Sequence, residues 1–394
     1  MHSFSHNMLR DYEAKADLTM ALICRIMMLF FGVIILLNAV GVFVIQSVIY
    51  PALICSAMIM FTPTILYNFL HLNTIGVRYF VLTLIVLMSG VLYSILSYHV
   101  IAMLVFPVVI SCLYSDTKSV IFTSVLGIPV IITAHFVAFA LRIVPDEPLV
   151  SIKGVVLFGI IPRLIEYAGF VVICCFTAAK IQELIRGLVQ KNNELYNEQE
   201  SIITSLAELI EAQSHETGQH VKRVSEYTKI LCEALEMSDE EVWKVSTAAA
   251  LHDAGKMIID QNILNKPGKL TAEEFDVVKQ HVSYGKKLLE KNTGELMRIA
   301  ANIAYHHHEK YDGTGYMSVK GEDIDRYARC VSVADVFDAL VSRRPYKDAW
   351  PPEEAYTEIV SQRGKQFDPA VVDVFKNNFD KFLQVLSKYP DNEQ

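Results

Sequence analysis

The sequence predicts an all-α protein in two parts, a polytopic helical membrane region and a soluble helical domain joined by a long helix. Three observations predict it. Residues 1–180 carry nine Lys and Arg and seven Asp and Glu, whereas the whole chain carries 35 and 43, so charge is concentrated in the last 214 residues. The charge-poor part consists of long apolar runs, which makes the chain 52% hydrophobic with a mean hydropathy of +0.32, too apolar for one ordinary soluble domain. The charge-rich part shows helical apolar spacing throughout and no alternating strand pattern. Net charge divides in the same way, +2 before residue 181 and −10 after it. An acidic soluble half excludes a nucleic-acid polymer as the main partner, because phosphate backbones select basic surfaces.

Taken in order, the first element is a set of six apolar runs: Met20 to Phe43, Pro51 to Leu70, Val77 to Ser97, Val100 to Tyr114, Ser119 to Leu141 and Gly154 to Ala178. A helix needs about 20 apolar residues to cross a bilayer core, so each run predicts a span, the fourth being shortest and interrupted by Pro107. The first run is too long, and followed by too many others, to be a cleaved signal. Cations set the orientation. Six spans put Arg10, Lys15, Arg78, Lys118, Lys180, Arg186 and Lys191 on one side and only Arg142 and Lys153 on the other, so both termini are expected in the cytoplasm. Arg163 and Glu166 stand one turn apart in the sixth run as a pair at membrane depth. His99 and His135 read as loop or packing residues.

Next comes residues 181–212. Ile181, Ile185, Leu188, Asn192, Leu195, Gln199, Ile202, Leu206 and Leu209 follow alternating steps of four and three, a heptad seam. Polar Asn192 and Gln199 in one core series favour a two-stranded register, which predicts a parallel homodimer. The seven cysteines imply no disulfide framework, since five lie in the apolar part and only Cys232 and Cys330 after it.

The soluble part, residues 201–385, opens with helical stretches around Val221 to Leu235 and Ser238 to Leu251, has a Thr271 cap before LTAEEF, and continues through Pro352 to Arg363; residues 386–394 form a tail expected to be loose from Asp391. Seven of the twelve His fall between His215 and His308, interleaved with carboxylates. Glu216 and His220 are four apart on one helix face. His252 and Asp253 are adjacent in ALHDAGK, His281 lies in KQHVSYGKK, and Tyr305-His306-His307-His308-Glu309 and Asp335 follow. Imidazoles and carboxylates together suit iron, manganese or zinc. A carboxylate such as Asp253 can bridge two ions, which together activate water and clamp the oxygens of a phosphoryl group. That chemistry is phosphate ester hydrolysis.

These residues carry a resemblance. HDAGK resembles the HD superfamily of metal-dependent phosphohydrolases, and HHEKYDGTGY resembles the signature of its HD-GYP subfamily. The likeness extends to NKPGKLTAEEF, VADVFDAL, SRRPYK and GKQFDP, from about Ser201 to Phe382, and leaves the membrane region outside it. The resemblance implies an all-helical domain holding two or three divalent ions, iron or manganese foremost. It places His252, Asp253, His281, His307, His308 and Asp335 as ligands, with Glu216 and His220 for a third ion. Lys256 would lie near the attacked phosphate, Arg344 and Lys347 would grip substrate phosphates, and Gly315 and Tyr316 would stand beside the substrate. This sequence has Met317 where the family has proline, which is expected to loosen that loop without removing a ligand.

The activity implied is hydrolysis of cyclic di-GMP to linear pGpG, which some family members carry onward to GMP, by a multi-pass protein of a bacterial cytoplasmic membrane with its catalytic domain in the cytoplasm. Two alternatives accompany it: a receptor that binds the nucleotide without cleaving it, and a hydrolase of another cyclic dinucleotide or of a nucleoside phosphate.

Overall fold

The computed structural model describes residues 2–41, 49–95, 101–141, 149–214, 218–343 and 348–391. Helices dominate, and the described residues contain no strand, only an isolated bridge between Arg363 and Phe367. The chain divides into two compact units at Asn192 and Asn193.

In the N-terminal unit the described part of each of the six apolar runs is mainly helical. Among the described residues four helices are long and apolar enough to cross a membrane: Tyr12–Leu37, Ile75–Ser94, Thr117–Ala140 and Ile152–Glu211. Leu53–Phe69 and Ala102–Tyr114 are apolar but shorter. Proline explains part of the shortfall. Pro63 ends the regular part of Ile49–Pro63 before a π-helical turn at Thr64–Phe69, and Pro107 sits inside Ile101–Ser111. Large apolar side chains point outward, Phe30, Leu36, Val172 and Phe176 among them.

The inner faces carry both apolar packing and a few charges. Met20, Leu53, Met60 and Val81 build one cluster, and Tyr93, Val108, Ile131 and Tyr167 another. Arg78, counted above among the cations of the cytoplasmic side, is buried near the start of the Ile75–Ile95 helix. It donates to Glu13 at 2.8 Å and lies 4.3 Å from the Tyr114 ring, so its charge is locally met. Arg163 pairs with Glu166 at 2.7 Å, and buried His135 donates Nδ1–H to the Ile131 carbonyl at 2.8 Å as a packing residue. His99 and Arg142 lie outside the described residues.

One helix of 51 residues, Ile161–Glu211, contributes to both units. Its seam residues Leu188, Leu195, Ile202, Leu206 and Leu209 are exposed. A neighbouring face is not. Ile203, Ala207 and Ile210 are buried in the core of the C-terminal unit, so the last turns of the helix dock there and leave the heptad seam uncovered.

The C-terminal unit packs Gly218–Ala234 against Asp239–Ala249 and Arg326–Val341. Capping boxes start two of its helices, Ser238 with Glu241 and Thr271 with Glu274. Apolar positions one turn apart on these helices meet in a single core. Val221, Val224 and Leu231 meet Phe337, Phe375 and Phe382 there, and Tyr227 stacks on Phe382 with centroids 4.5 Å apart. Each such side chain contributes about 1.5–3 kcal/mol by leaving water. Pro352–Ser361 and Pro369–Asn377 close the core, each with proline at the start of the helix. The expected loose tail is partly tied down, because buried Arg223 donates to the Tyr389 carbonyl at 2.9 Å and to Asp391 at 2.8 Å.

Candidate metal centre

Four segments bring the site together. Helix Asp239–Ala249 ends in tight turns that present His252 and Asp253, followed by the turn Ala254–Ile258. Gly255 makes the next approach possible: a Cβ there would lie 1.9 Å from the His281 carbonyl oxygen and 2.5 Å from the Gly285 nitrogen. Only hydrogen fits. This contact seats Asp253 against His281, the first residue of His281–Leu289. His307 and His308 follow at the end of Glu295–His306, and Asp335 projects from the middle of Arg326–Val341.

The side chains converge in three overlapping groups, each with donor atoms within 4.8 Å of one another: Asp253, His281, His307 and His308; His220, His252 and Asp335; and Glu211, His252 and Asp253. Asp253 and His252 are each shared by two groups. Asp253 Oδ1 lies 3.2 Å from His281 Nε2 and 3.7 Å from His307 Nε2, while its Oδ2 lies 3.2 Å from His252 Nε2.

The far side of four of the rings is anchored. Nδ1 of His252 faces the Ala249 carbonyl at 2.9 Å, that of His281 faces Val278 at 2.7 Å, and that of His307 faces Ala304 at 3.1 Å. A carbonyl can only accept, so Nδ1 carries the proton and a neutral ring turns a bare Nε2 inward. His220 Nδ1 is held by the Asp338 carboxylate at 2.8 Å, and Asp338 also takes Arg223 at 2.6 Å.

An ion fits this arrangement. The Nε2 atoms of His252, His281 and His307 and Oδ1 of Asp253 are buried and have no hydrogen-bond partner. Buried polar atoms are ordinarily paired, and leaving one unpaired costs about 1–3 kcal/mol, so four at one place call for a cation. Imidazole and carboxylate donors suit iron, manganese or zinc.

Electrostatics agree with a ligand set. Burial pushes His307 well below its usual range and His308 down to about 4, so both rings are neutral. Burial opposes charge on His252 as well, yet the carboxylates of Asp253, Asp335 and Glu211 push it up to about 10, so without an ion its Nε2 carries a proton that a bound cation would displace. Burial likewise works against an ionised Asp253, but Lys256 and His252 hold its carboxyl well below the usual carboxylate range. Lys256 Nζ lies 2.7 Å from Asp253 and 3.7 Å from Glu211.

Beside the centre, Gly315 packs where a Cβ would meet Glu309 Cα at 2.6 Å, and Tyr316 lies 4.8 Å from the His308 ring. The Met317 loop is not loosened as expected. The Met317 N–H donates to buried Glu309 at 2.5 Å and Val319 N–H to its other oxygen at 2.8 Å, a restraint in which proline at 317 could not share.

Of the residues singled out in the sequence, the structure brings together His220, His252, Asp253, His281, His307, His308 and Asp335, with Lys256 in contact and Tyr316 and Gly315 alongside. His306 belongs to none of the three groups. Glu216, Arg344 and Lys347 lie outside the described residues. The reading missed Glu211, Asp338 and Glu309. Asp338 stands one turn from Asp335, a signal that was available; Glu309 directly follows the histidine pair; Glu211 reads locally as a helix-surface glutamate.

The HD domain family matches residues 204–371. The chain is 39% identical over 199 residues to 3'3'-cGAMP-specific phosphodiesterase 2 of Vibrio cholerae, covering 50% of this chain and 38% of that protein. It is 41% identical over 205 residues to a cyclic di-GMP phosphodiesterase of Thermotoga maritima, covering 51% and 56%. It is 39% identical over 203 residues to the cyclic di-GMP phosphodiesterase response regulator RpfG of Xanthomonas campestris pv. campestris, covering 51% and 54%. The chain thus spans about half or less of the length of these relatives.

Proposed function

We propose that the C-terminal half of the chain, whose residues 204–371 match the HD domain family, is of the HD-GYP branch, and that the protein is a membrane-anchored, metal-dependent phosphodiesterase that opens cyclic di-GMP to pGpG and carries it on to GMP. The observation that carries the proposal is the convergence of unpaired buried Nε2 and carboxylate atoms around Asp253. His252, Asp253, His281, His307, His308 and Asp335 would hold two ions, with Glu216 and His220 contributing to a third, iron or manganese being the metals this donor set suits. Bound ions supply Lewis acidity, activating water and neutralising phosphoryl oxygens.

The chain's own groups do the rest. Carbonyl and Asp338 contacts hold the imidazole rings in the orientation ligation needs. Lys256, held against Asp253, places an ammonium where negative charge grows on the phosphate in the transition state. Tyr316 and Gly315 border the substrate, and Arg344 and Lys347 grip its phosphates. In the full-length protein loaded with manganese or iron, cyclic di-GMP should disappear as pGpG and then GMP accumulate by chromatography and mass spectrometry. Binding without cleavage would instead establish a receptor.

The matched relative that is specific for 3'3'-cGAMP supports a second reading, that this cyclic dinucleotide is the substrate, and the same assay run with both nucleotides decides between them. The N-terminal unit would anchor the enzyme in a bacterial cytoplasmic membrane, with the C-terminal unit in the cytoplasm. The exposed seam from Leu188 to Leu209 supports parallel pairing with a second copy of the chain.

A further inference from the structure

Glu211 is the last residue of the 51-residue helix Ile161–Glu211, and it is a carboxylate only 2% exposed. A glutamate is rarely buried that deeply without a cationic partner or an ion. Lys256 is one such neighbour, at 3.7 Å, and is also held at 2.7 Å by Asp253. A carboxylate oxygen of Glu211 lies within 4.8 Å of donor atoms of both His252 and Asp253. Its placement is fixed from behind, since Ile203, Ala207 and Ile210 on the same helix are buried in the core of the C-terminal unit.

We propose that Glu211 is a metal ligand, supplying a carboxylate to the ion held by His252 and Asp253, so that filling this position fastens the end of the long helix to the metal centre. The inference rests on the metal-centre part of the reading above and not on which nucleotide is cleaved. Its consequence is reciprocal: an ion that holds the helix end is itself held more tightly when the helix is docked, and loosened when the helix end is pulled away. Displacement of the helix end thereby becomes a way to change metal occupancy.

The test uses the full-length chain in detergent micelles, with manganese as the probe, and reads metal rather than turnover. Glu211→Gln keeps shape and removes the charge; Glu211→Asp keeps the charge and shortens the reach. By titration calorimetry and elemental analysis, Glu211→Gln should bind one ion at least tenfold more weakly, and Glu211→Asp should recover part of the loss. Manganese should slow amide exchange at residues 203–211 in the native protein and not in Glu211→Gln. Unchanged affinity and stoichiometry with unchanged exchange protection overturns the proposal. So does unchanged metal binding with slowed turnover, which would make Glu211 a positioning residue for Lys256 alone. If Glu211→Gln fails to fold, Glu211→Asp carries the test: its metal affinity must then fall below that of the native chain, and equality overturns the inference. Failure of the native protein to cleave either nucleotide leaves these readouts intact and counts only against the proposed activity.

Discussion

Replacing Asp338 by alanine tests how the metal centre is held in place. Asp338 and Arg223 are both fully buried, and Asp338 accepts from Arg223 Nε at 2.6 Å, from Arg223 Nη2 at 2.9 Å and from His220 Nδ1 at 2.8 Å. Burial opposes ionisation of Asp338, yet His220 and Arg223 keep its carboxyl below the usual carboxylate range, so the charge is present at neutral pH. Alanine leaves the Arg223 guanidinium with Ser342, Tyr389 and Asp391 as its remaining partners among the described residues. Removing one member of a buried pair costs about 3–5 kcal/mol. At about 2–4 °C per kcal/mol for a domain of this size, the midpoint should fall by about 6–20 °C. His220 also loses the contact that orients it, which should weaken metal binding by about 10–100-fold. Both tryptophans, Trp243 and Trp350, lie in the C-terminal half, so tryptophan fluorescence of the full-length chain follows this domain alone. Removing both charges, as Arg223→Met with Asp338→Leu, should restore much of the stability but not the metal affinity. A single Asp338→Ala variant that melts within about 1 °C of the native protein and binds metal equally well would refute the reasoning.

Three further outcomes follow from the geometry. Gly255→Ala should abolish manganese binding and lower the midpoint, because its methyl group meets backbone rather than a movable side chain; normal metal stoichiometry by elemental analysis would contradict the close approach. Leu195→Glu with Leu206→Glu should convert a dimer to a monomer by analytical ultracentrifugation, since both side chains lie on the exposed seam, and an unchanged mass would dismiss the pairing. In the metal-free protein, His307 and His308 titrate below their ordinary 6.5, the latter at about 4, so the unfolded chain binds more protons between about 4 and 6.5 and stability falls as pH drops through that window. His252, raised to about 10, works the other way, its contribution being lost as pH climbs from 6.5 through 10. The melting midpoint without metal should therefore peak near pH 6.5, with both limbs flattened by manganese, and a monotonic profile across that range would contradict the assignment.

Much of the architecture was legible because it rests on local patterning. Apolar runs gave the helices of the N-terminal unit, and capping residues such as Thr271 marked helix starts. Helix length was less legible at Leu53–Phe69, where Pro63 and the π-helical turn intervene. The metal cluster was legible because its residue types are rare and its motifs spaced. The supporting contacts were not. Arg223 and Asp338 are 115 positions apart, and nothing local tells a buried ion pair from a solvated one. Glu211 escaped notice for a related reason: its burial depends on how the last turn of its helix docks, and the heptad pattern describes the neighbouring, exposed seam. The Met317 loop shows the limit of reading one substitution alone, since the restraint comes from Glu309 eight residues earlier.

The most direct measurement counts bound metal and cyclic di-GMP turnover in the same samples of full-length protein, stripped by chelation and reloaded stepwise with manganese, beside an Asp253→Ala variant. The account predicts no turnover without metal, turnover rising with occupancy to a plateau at two or three ions per chain, and loss of both in the variant. Turnover that persists in the stripped protein, or a fully loaded protein that cleaves neither cyclic di-GMP nor 3'3'-cGAMP, would contradict it.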